Sequence, residues 1–368
     1  MTEQRGRQVA GQNLLYVGSY TDALGTGTGI TIFAADPATG ALSLRSTYSL
    51  QSPSYLQAHP RLPVIYALTE AAQGVVSTFG IAADGMLTSL GSCSSGGAAP
   101  CHAVVTPDGT HLIVSNYEGG SVAVLPLDED GIAAEPTAVT SRQGSGPDPD
   151  RQEAAHPHLA ANTAAGTFLL ADLGTDEIVR YEVGGSEPLA ASEVVAMAPG
   201  TGPRQVVVVP GVGTDGSPLE QLVVVGELSS DLTSLGRGMR TPTLEWVRTP
   251  AQGPGHPPTP RNYPAHIEVA PGGRVLYVSN RGADCVTSFL LADGRLTFVD
   301  RVDVGAWPRH LSIFGQFLYV AAERGHAIDL IRADHTTGAL QHVGQVARIN
   351  SPTCVLPVTV SHEGVVSE

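Results

Sequence analysis

Short apolar runs recur along the chain, each bounded by proline, glycine or a small polar cluster, and none is sustained at the 3.6-residue spacing of a helical face. They follow one phrase: a proline, one or two polar residues, an apolar strand, a turn, a second apolar strand and a polar loop. The prolines are Pro53, Pro100, Pro157, Pro203, Pro264, Pro308 and Pro352, spaced 44 to 61 residues apart, close to the roughly 40–50 residues of a propeller blade. The second strand reads LYVGSY at 15–20, IYALTE at 65–70, LIVSNY at 112–117, LLADLG at 169–174, VVVGEL at 223–228, LYVSNR at 276–281 and LYVAAE at 318–323. Turn signals such as PDG at 107–109 and PGG at 271–273 separate the two strands, glycine supplying the positive φ of a tight turn. A third, alternating strand follows, as in SVAVLPL at 121–127 and CVTSFLL at 285–291, and then a turn into a fourth.

Seven four-stranded antiparallel units without helices can bury both faces only by packing sheet on sheet around an axis. The pattern therefore predicts an all-β, seven-bladed β-propeller. The first unit lacks its opening phrase and the chain ends with a spare one, SPTCVLP at 351–357. That C-terminal strand should join the first blade and close the ring, leaving no exposed edge there. The predicted organisation is one domain over 14–357, with tails at 1–13 and 358–368. Longer loops are expected at 142–156, 211–218 and 251–264, where the spacing stretches.

Composition narrows the chemistry. A net charge of −15 argues against nucleic acid and anionic membrane surfaces, which favour basic patches. No apolar stretch approaches the roughly 20 residues of a membrane span. The start of the chain has no apolar signal-like run, and Cys93, Cys101, Cys285 and Cys354 form no CxxC pair; a cytoplasmic protein, monomeric or weakly dimeric, with no zinc site and no cofactor, is expected. All 20 basic residues are arginine. A Schiff-base lysine and a P-loop lysine are thereby excluded, and a cationic grip on an anion must come from arginine or protonated histidine.

In an antiparallel meander the start of the inner strand and the end of the second strand share one face. That places Cys101, His102, His156, His158, Arg204, Gln205, His266, Arg309 and His310 around the funnel, facing Tyr20, Glu70, Asn116, Tyr117, Asp172, Glu227, Asn280, Arg281 and Glu323. Bland roles compete for several of these. The histidines can cap the channel, Glu70 can neutralise an arginine, Cys101 can be a buried thiol, and Arg309 can pack on the indole of Trp307. The HPH at 156–158 has metal-ligand spacing but no third ligand.

The phrases GPRQ, APCH, WPRH, GSGPDPDRQEAAHPH, VSNYEGGSVAVLPLDEDG and LYVSNRGADCVTSF together resemble the seven-bladed propeller lactonase family. That family includes propeller-type 6-phosphogluconolactonases and carboxy-cis,cis-muconate cyclases. The resemblance implies a catalytic set of His158, with His156 as the neighbouring candidate, Arg204, Glu227 and Arg281, in which His158 or Glu227 takes the proton from water and no metal is required; the shared face adds His102, Asn116, Tyr117, His156, His266, Arg309 and His310 around the substrate. The resemblance also implies hydrolysis of a small anionic lactone, with a muconate-type cyclase or a non-catalytic ligand- or protein-binding propeller as alternatives. Three positions depart from the family: Gln205 stands where histidine is usual, Gly226 where asparagine is usual, and His266 where glutamate often follows the alanine.

Overall fold

The computed structural model describes residues 11–163, 166–183, 189–212, 218–236, 246–248, 261–361 and 364–366. Much of the expected 211–218 and 251–264 loops lies outside them, as do residues 1–10 of the expected N-terminal tail; most of the expected C-terminal tail is instead strand, at 358–361 and 364–366. Seven sheets form, six of four strands in simple meander order and one of five. The five-stranded sheet is the first blade. Its inner strand is Pro352–Ser361, from the end of the chain, paired antiparallel along Gln12–Ser19. A short turn-back strand, Gly364–Val366, pairs with the tail of that inner strand. The ring is thus closed by hydrogen bonds between the two ends of the chain, as the spare seventh phrase predicts.

The core lies between the blades. The second strands carry the core: Val64–Thr69, Val275–Arg281 and Phe317–Ala322 are buried throughout, and His111–Asn116 and Thr167–Asp172 are buried past a partly exposed first residue. Each apolar cluster takes residues from two neighbouring sheets, as where Val64, Tyr66 and Leu68 pack against Ala103, Leu112 and Val114. In the phrases that read Leu-Tyr or Ile-Tyr, the tyrosine ring is buried and its hydroxyl donates to a turn of the next blade. Tyr16 reaches Gly85 O at 2.9 Å, Tyr66 reaches Gly131 O at 2.6 Å and Tyr319 reaches Gly40 O at 3.0 Å. The accepting glycines have φ of +82°, +77° and +74°, a region where a β-carbon is strained.

One irregularity repeats at the head of every inner strand. Pro53 pairs with Thr69 but Tyr55 with Leu68, so Ser54 is an extra residue. The same slip leaves Cys101, His158, Arg204, Arg309 and Thr353 unpaired, and in the sixth blade it takes in Ala265 and His266. A bulge of this kind re-aims side chains. Here it turns Ser54, Cys101, His158, Arg204, Arg309 and Thr353, with Tyr55, His102, Gln205, His266 and His310, into one central pocket. The residue before the proline is left-handed in five blades: Ser52, Ala99, Gly202, Trp307 and Ser351. Its carbonyl accepts the N–H of Glu70, Tyr117, Glu227, Glu323 or Tyr20, respectively, which fixes the wall above the bulges.

Two residues after His266 on the same inner strand, Glu268 lies 3.3 Å from Ser312 Oγ and 3.6 Å from His266 Nε2. Burial pushes its carboxyl up to about 7, against the Ser312 hydrogen bond. Its side chain is 29% exposed, so solvent screens part of this effect.

Two stability predictions follow from these contacts. Tyr319→Phe leaves Gly40 O without its donor and should lower unfolding free energy by about 1–2 kcal/mol in urea titration; a change under a few tenths would dismiss the inter-blade latch. For Glu268, the unfolded chain releases the proton near 4.5 and the folded chain near 7, so stability from this group is present below 4.5 and lost as pH rises through 7. His266, held down to about 3 chiefly by burial, stays neutral across that window. Glu268→Gln should therefore raise Tm at pH 8 and have little effect at pH 4, whereas equal effects at both would contradict the raised carboxyl.

Candidate active site

Glu227 is the hub of a charged cluster on the fifth- and sixth-blade side of the funnel. It follows the second strand of the fifth blade, its N–H is held by Gly202 O at 2.9 Å, and its carboxylate is 1% exposed. Among the described residues three arginines reach it. Arg204 Nη1 and Arg281 Nη2 donate to Oε2 at 2.8 and 2.6 Å, and Arg151 Nη2 donates to Oε1 at 2.7 Å. Burial alone would raise the Glu227 pKa, but the three guanidinium groups outweigh it and hold the carboxyl well below the usual range. Burial also brings Arg281 down to about 10, still protonated at neutral pH.

Arg204 and Arg281 are fixed at a second point. Arg204 Nε donates to Ala265 O at 2.8 Å and Arg281 Nε to Tyr263 O at 3.2 Å. Arg204 Nη1 also makes a short contact with His158 Nε2. A guanidinium can only donate, so that nitrogen of His158 carries a lone pair and the proton sits on Nδ1, which has no partner among the described residues. Burial and the Arg204 charge keep His158 well below its ordinary 6.5, hence neutral. Tyr117 completes the circle. Its ring meets His158 edge-on at 5.6 Å and stacks on His156 at 4.5 Å, and its hydroxyl accepts from Arg151 at 3.2 Å.

His158, Arg204, Glu227, Arg281, Tyr117 and His156 are thus brought together. His156 is the outer member: its Nδ1 bonds Tyr117 O and its Nε2 lies 3.0 Å from Glu153. His102, His266 and His310 line the central pocket with His158 and Arg204, the His266 and His310 rings 3.8 Å apart and Tyr55 4.4 Å from His102. Burial, reinforced by their mutual proximity, keeps His102 and His310 neutral. Asn116 does not join the cluster. It is fully buried and its amide donates to Ser95 O and Ser121 Oγ at 3.0 and 3.2 Å, bracing its own blade.

Arg309 belongs to a second charged group, 3.5 Å from Glu323 and 3.8 Å from Glu70, whose Oε2 also accepts the Tyr20 hydroxyl at 2.9 Å. The expected packing of Arg309 on Trp307 is corrected: Arg309 lies over Tyr20 at 5.0 Å, and Trp307 receives Arg324 at 3.5 Å and Arg281 at 5.5 Å. The bulge after Pro308 aims Arg309 into the pocket, while Trp307, left-handed before the proline, stays outside. Cys101 donates to His158 O at 3.2 Å, and burial with the Glu70 charge pushes its thiol up to about 12, so it is no thiolate. Among the described residues no group of three His, Cys, Asp or Glu is arranged to hold a metal ion.

Two family departures touch each other. Gln205 Nε2 donates to His266 Nδ1 at 2.9 Å and Gln205 Oε1 accepts Ile267 N–H at 2.7 Å. At Gly226 a β-carbon would fall 2.2 Å from Ser229 Oγ and 2.6 Å from Asp231 Oδ1; the Ser229 hydroxyl, bonded to Asp231 at 2.7 Å, occupies the place an asparagine would need. Arg151 is the functional candidate that sequence reading missed. It lies in the GSGPDPDRQEAAHPH phrase, but in a loop with no strand period to mark its direction.

Residues 14–357 match the family model described as Lactonase, 7-bladed beta-propeller. The 6-phosphogluconolactonase of Bacillus subtilis is 30% identical over 92% of this chain and 97% of its own length. The 6-phosphogluconolactonase of Formosa agariphila is 29% identical over 95% of this chain and all of its own. The solved structure of the periplasmic gluconolactonase of Pseudomonas aeruginosa superposes with a TM-score of 0.81 at 26% identity, covering 95% of this chain and all of that one. With its ring, its repeated bulges and a match running from the first blade to the closing strand, the chain belongs to the seven-bladed β-propeller lactonase family.

Proposed function

We propose that this lactonase opens a phosphorylated sugar lactone, 6-phosphogluconolactone being the first candidate, at the Glu227 cluster. The observation that carries the reading is the charge balance there: three guanidinium groups around one buried carboxylate, beside a neutral histidine. The cluster can accept added negative charge, both the oxyanion that forms at the carbonyl and a fixed anion on the substrate. The names of the relatives from Bacillus subtilis and Formosa agariphila support the same substrate.

Water attacks the lactone carbonyl carbon, and its proton goes to His158 Nε2, whose lone pair becomes free when Arg204 Nη1 turns from it to the new oxyanion. Collapse of the tetrahedral intermediate breaks the ring C–O bond, and the proton passes from His158 to the departing alkoxide. Products are a carboxylate and a hydroxyl, so protons and charge balance once the carboxylic acid ionises. Glu227 is too weakly basic for the first step, since three arginines hold it ionised; it orients them instead. An anionic substrate opposes the Arg204 field and so raises the basicity of His158 on binding. The proposed compartment is the cytoplasm, supported by four unpaired cysteines.

Acid release from 6-phosphogluconolactone, followed above the spontaneous rate with chelator-treated protein, tests the reading. Arg204→Ala should lower kcat/KM by about 10²–10³; a loss under tenfold would remove Arg204 from the oxyanion. Because burial and Arg204 lower the His158 pKa, the base form persists to more acid pH than for a free imidazole. The acid limb of kcat/KM should accordingly lie below 6.5, and a limb at or above that value would exclude His158 as the base.

A further inference from the structure

Glu227 holds three arginines, and of these only Arg151 is positioned to leave the carboxylate. Its side chain is 36% exposed, against 8% for Arg204 and 7% for Arg281. The other two are each pinned by Nε to a carbonyl of the sixth blade, and Arg281 also lies against Trp307. Apart from Glu227, Arg151 has the Tyr117 hydroxyl as its side-chain partner. Releasing it uncovers Oε1 alone, while Oε2 keeps Arg204 and Arg281, so the buried carboxylate remains compensated.

The backbone that carries Arg151 is firmly held. Gln152 is fully buried; its amide donates to Leu173 O at 2.8 Å, its Oε1 accepts Asp148 N–H at 3.2 Å, and its carbonyl accepts Gly146 N–H at 2.8 Å. Asp148 in turn lies 3.5 Å from Arg261, whose Nη2 donates to Leu228 O at 2.9 Å beside Glu227. A fixed Cα with an exposed guanidinium is the arrangement of a receptor for a ligand arriving from solvent. Arg151 and Arg204 bracket one carboxylate, so their donating nitrogens can be no more than ~8 Å apart, a span that one sugar ring bridges.

From this geometry we infer that Arg151 is the specificity-determining residue for the substrate's remote anion: it exchanges Glu227 Oε1 for a phosphoryl group while Arg204 serves the lactone carbonyl. The inference rests on the lactonase reading above for its substrate, but it is tested separately by binding. Binding of 6-phosphogluconate is measured by calorimetry for wild type, Arg151→Gln and Arg151→Lys, alongside kcat and KM on 6-phosphogluconolactone and on unphosphorylated gluconolactone. Arg151→Gln should weaken 6-phosphogluconate binding about 10- to 100-fold and lower the preference for the phosphorylated lactone by a similar factor, through KM more than kcat. Arg151→Lys, which keeps the charge but not the fork, should recover part of both.

Equal losses of kcat on the two lactones with unchanged 6-phosphogluconate binding would make Arg151 a brace for Glu227 and overturn the inference. So would a wild-type protein that does not bind 6-phosphogluconate. Binding that weakens in Arg151→Gln, in a wild type that hydrolyses neither lactone, would uphold the anion receptor and overturn the lactonase mechanism instead. An unchanged thermal transition for both variants separates these outcomes from misfolding.

Discussion

Each inner strand begins with one residue more than its partner can pair, and the chemistry of the funnel depends on that surplus. In a regular strand, successive side chains alternate between faces, so His158, Arg204 and Arg309 would share the channel only with every second neighbour. The bulge after each proline brings two consecutive side chains to the axis, as with Arg204–Gln205 and Arg309–His310. The left-handed residues ahead of the prolines, Gly202 apart, cost backbone energy, and the carbonyl each one presents to the residue ending the second strand fixes the opposite wall. A ring closed by its own terminal strand resists the splaying that would relax these positions.

The wall then decides charge. Burying Glu227 would be prohibitive alone, and burying Arg204 or Arg281 alone equally so. Together they form a compensated group with spare positive charge, while around Arg309 the ratio is reversed, with Glu70 and Glu323 against one arginine. The funnel is therefore polar across its width, cationic at the fifth and sixth blades and carboxylate-rich at the seventh and second. An anionic ligand is drawn to one side, the side that also holds a neutral imidazole with its lone pair directed at an arginine.

The departures from the family pattern leave that cationic side intact. Gln205 and His266 are in contact, the amide supplying a donor to His266 Nδ1 and capturing the Ile267 N–H with its other end. Gly226 makes room for Ser229, which closes the turn in place of a longer side chain. Both adjustments conserve hydrogen bonding among buried groups, for which unmet donors and acceptors are costly.

The repeat, the number of blades, the closing strand and the face bearing the site were legible in the sequence, because period-two apolar strands and turn residues are local signals repeated seven times. The gathering of His158, Arg204, Glu227 and Arg281 was legible for the same reason, since equivalent positions of a closed ring must converge on its axis. Asn116 shows the limit of such a reading: strand order says which end of the sheet a residue occupies, but not that its amide bonds back to Ser95 and Ser121. Arg151 carried no such signal, because its loop has no period and its direction is set by the buried Gln152 and by Leu173 of another strand. Which arginine is buried and which is partly exposed, and which nitrogen of His158 holds the proton, depend on contacts between residues from 23 to 76 positions apart, and distances of that kind are fixed only when the blades pack.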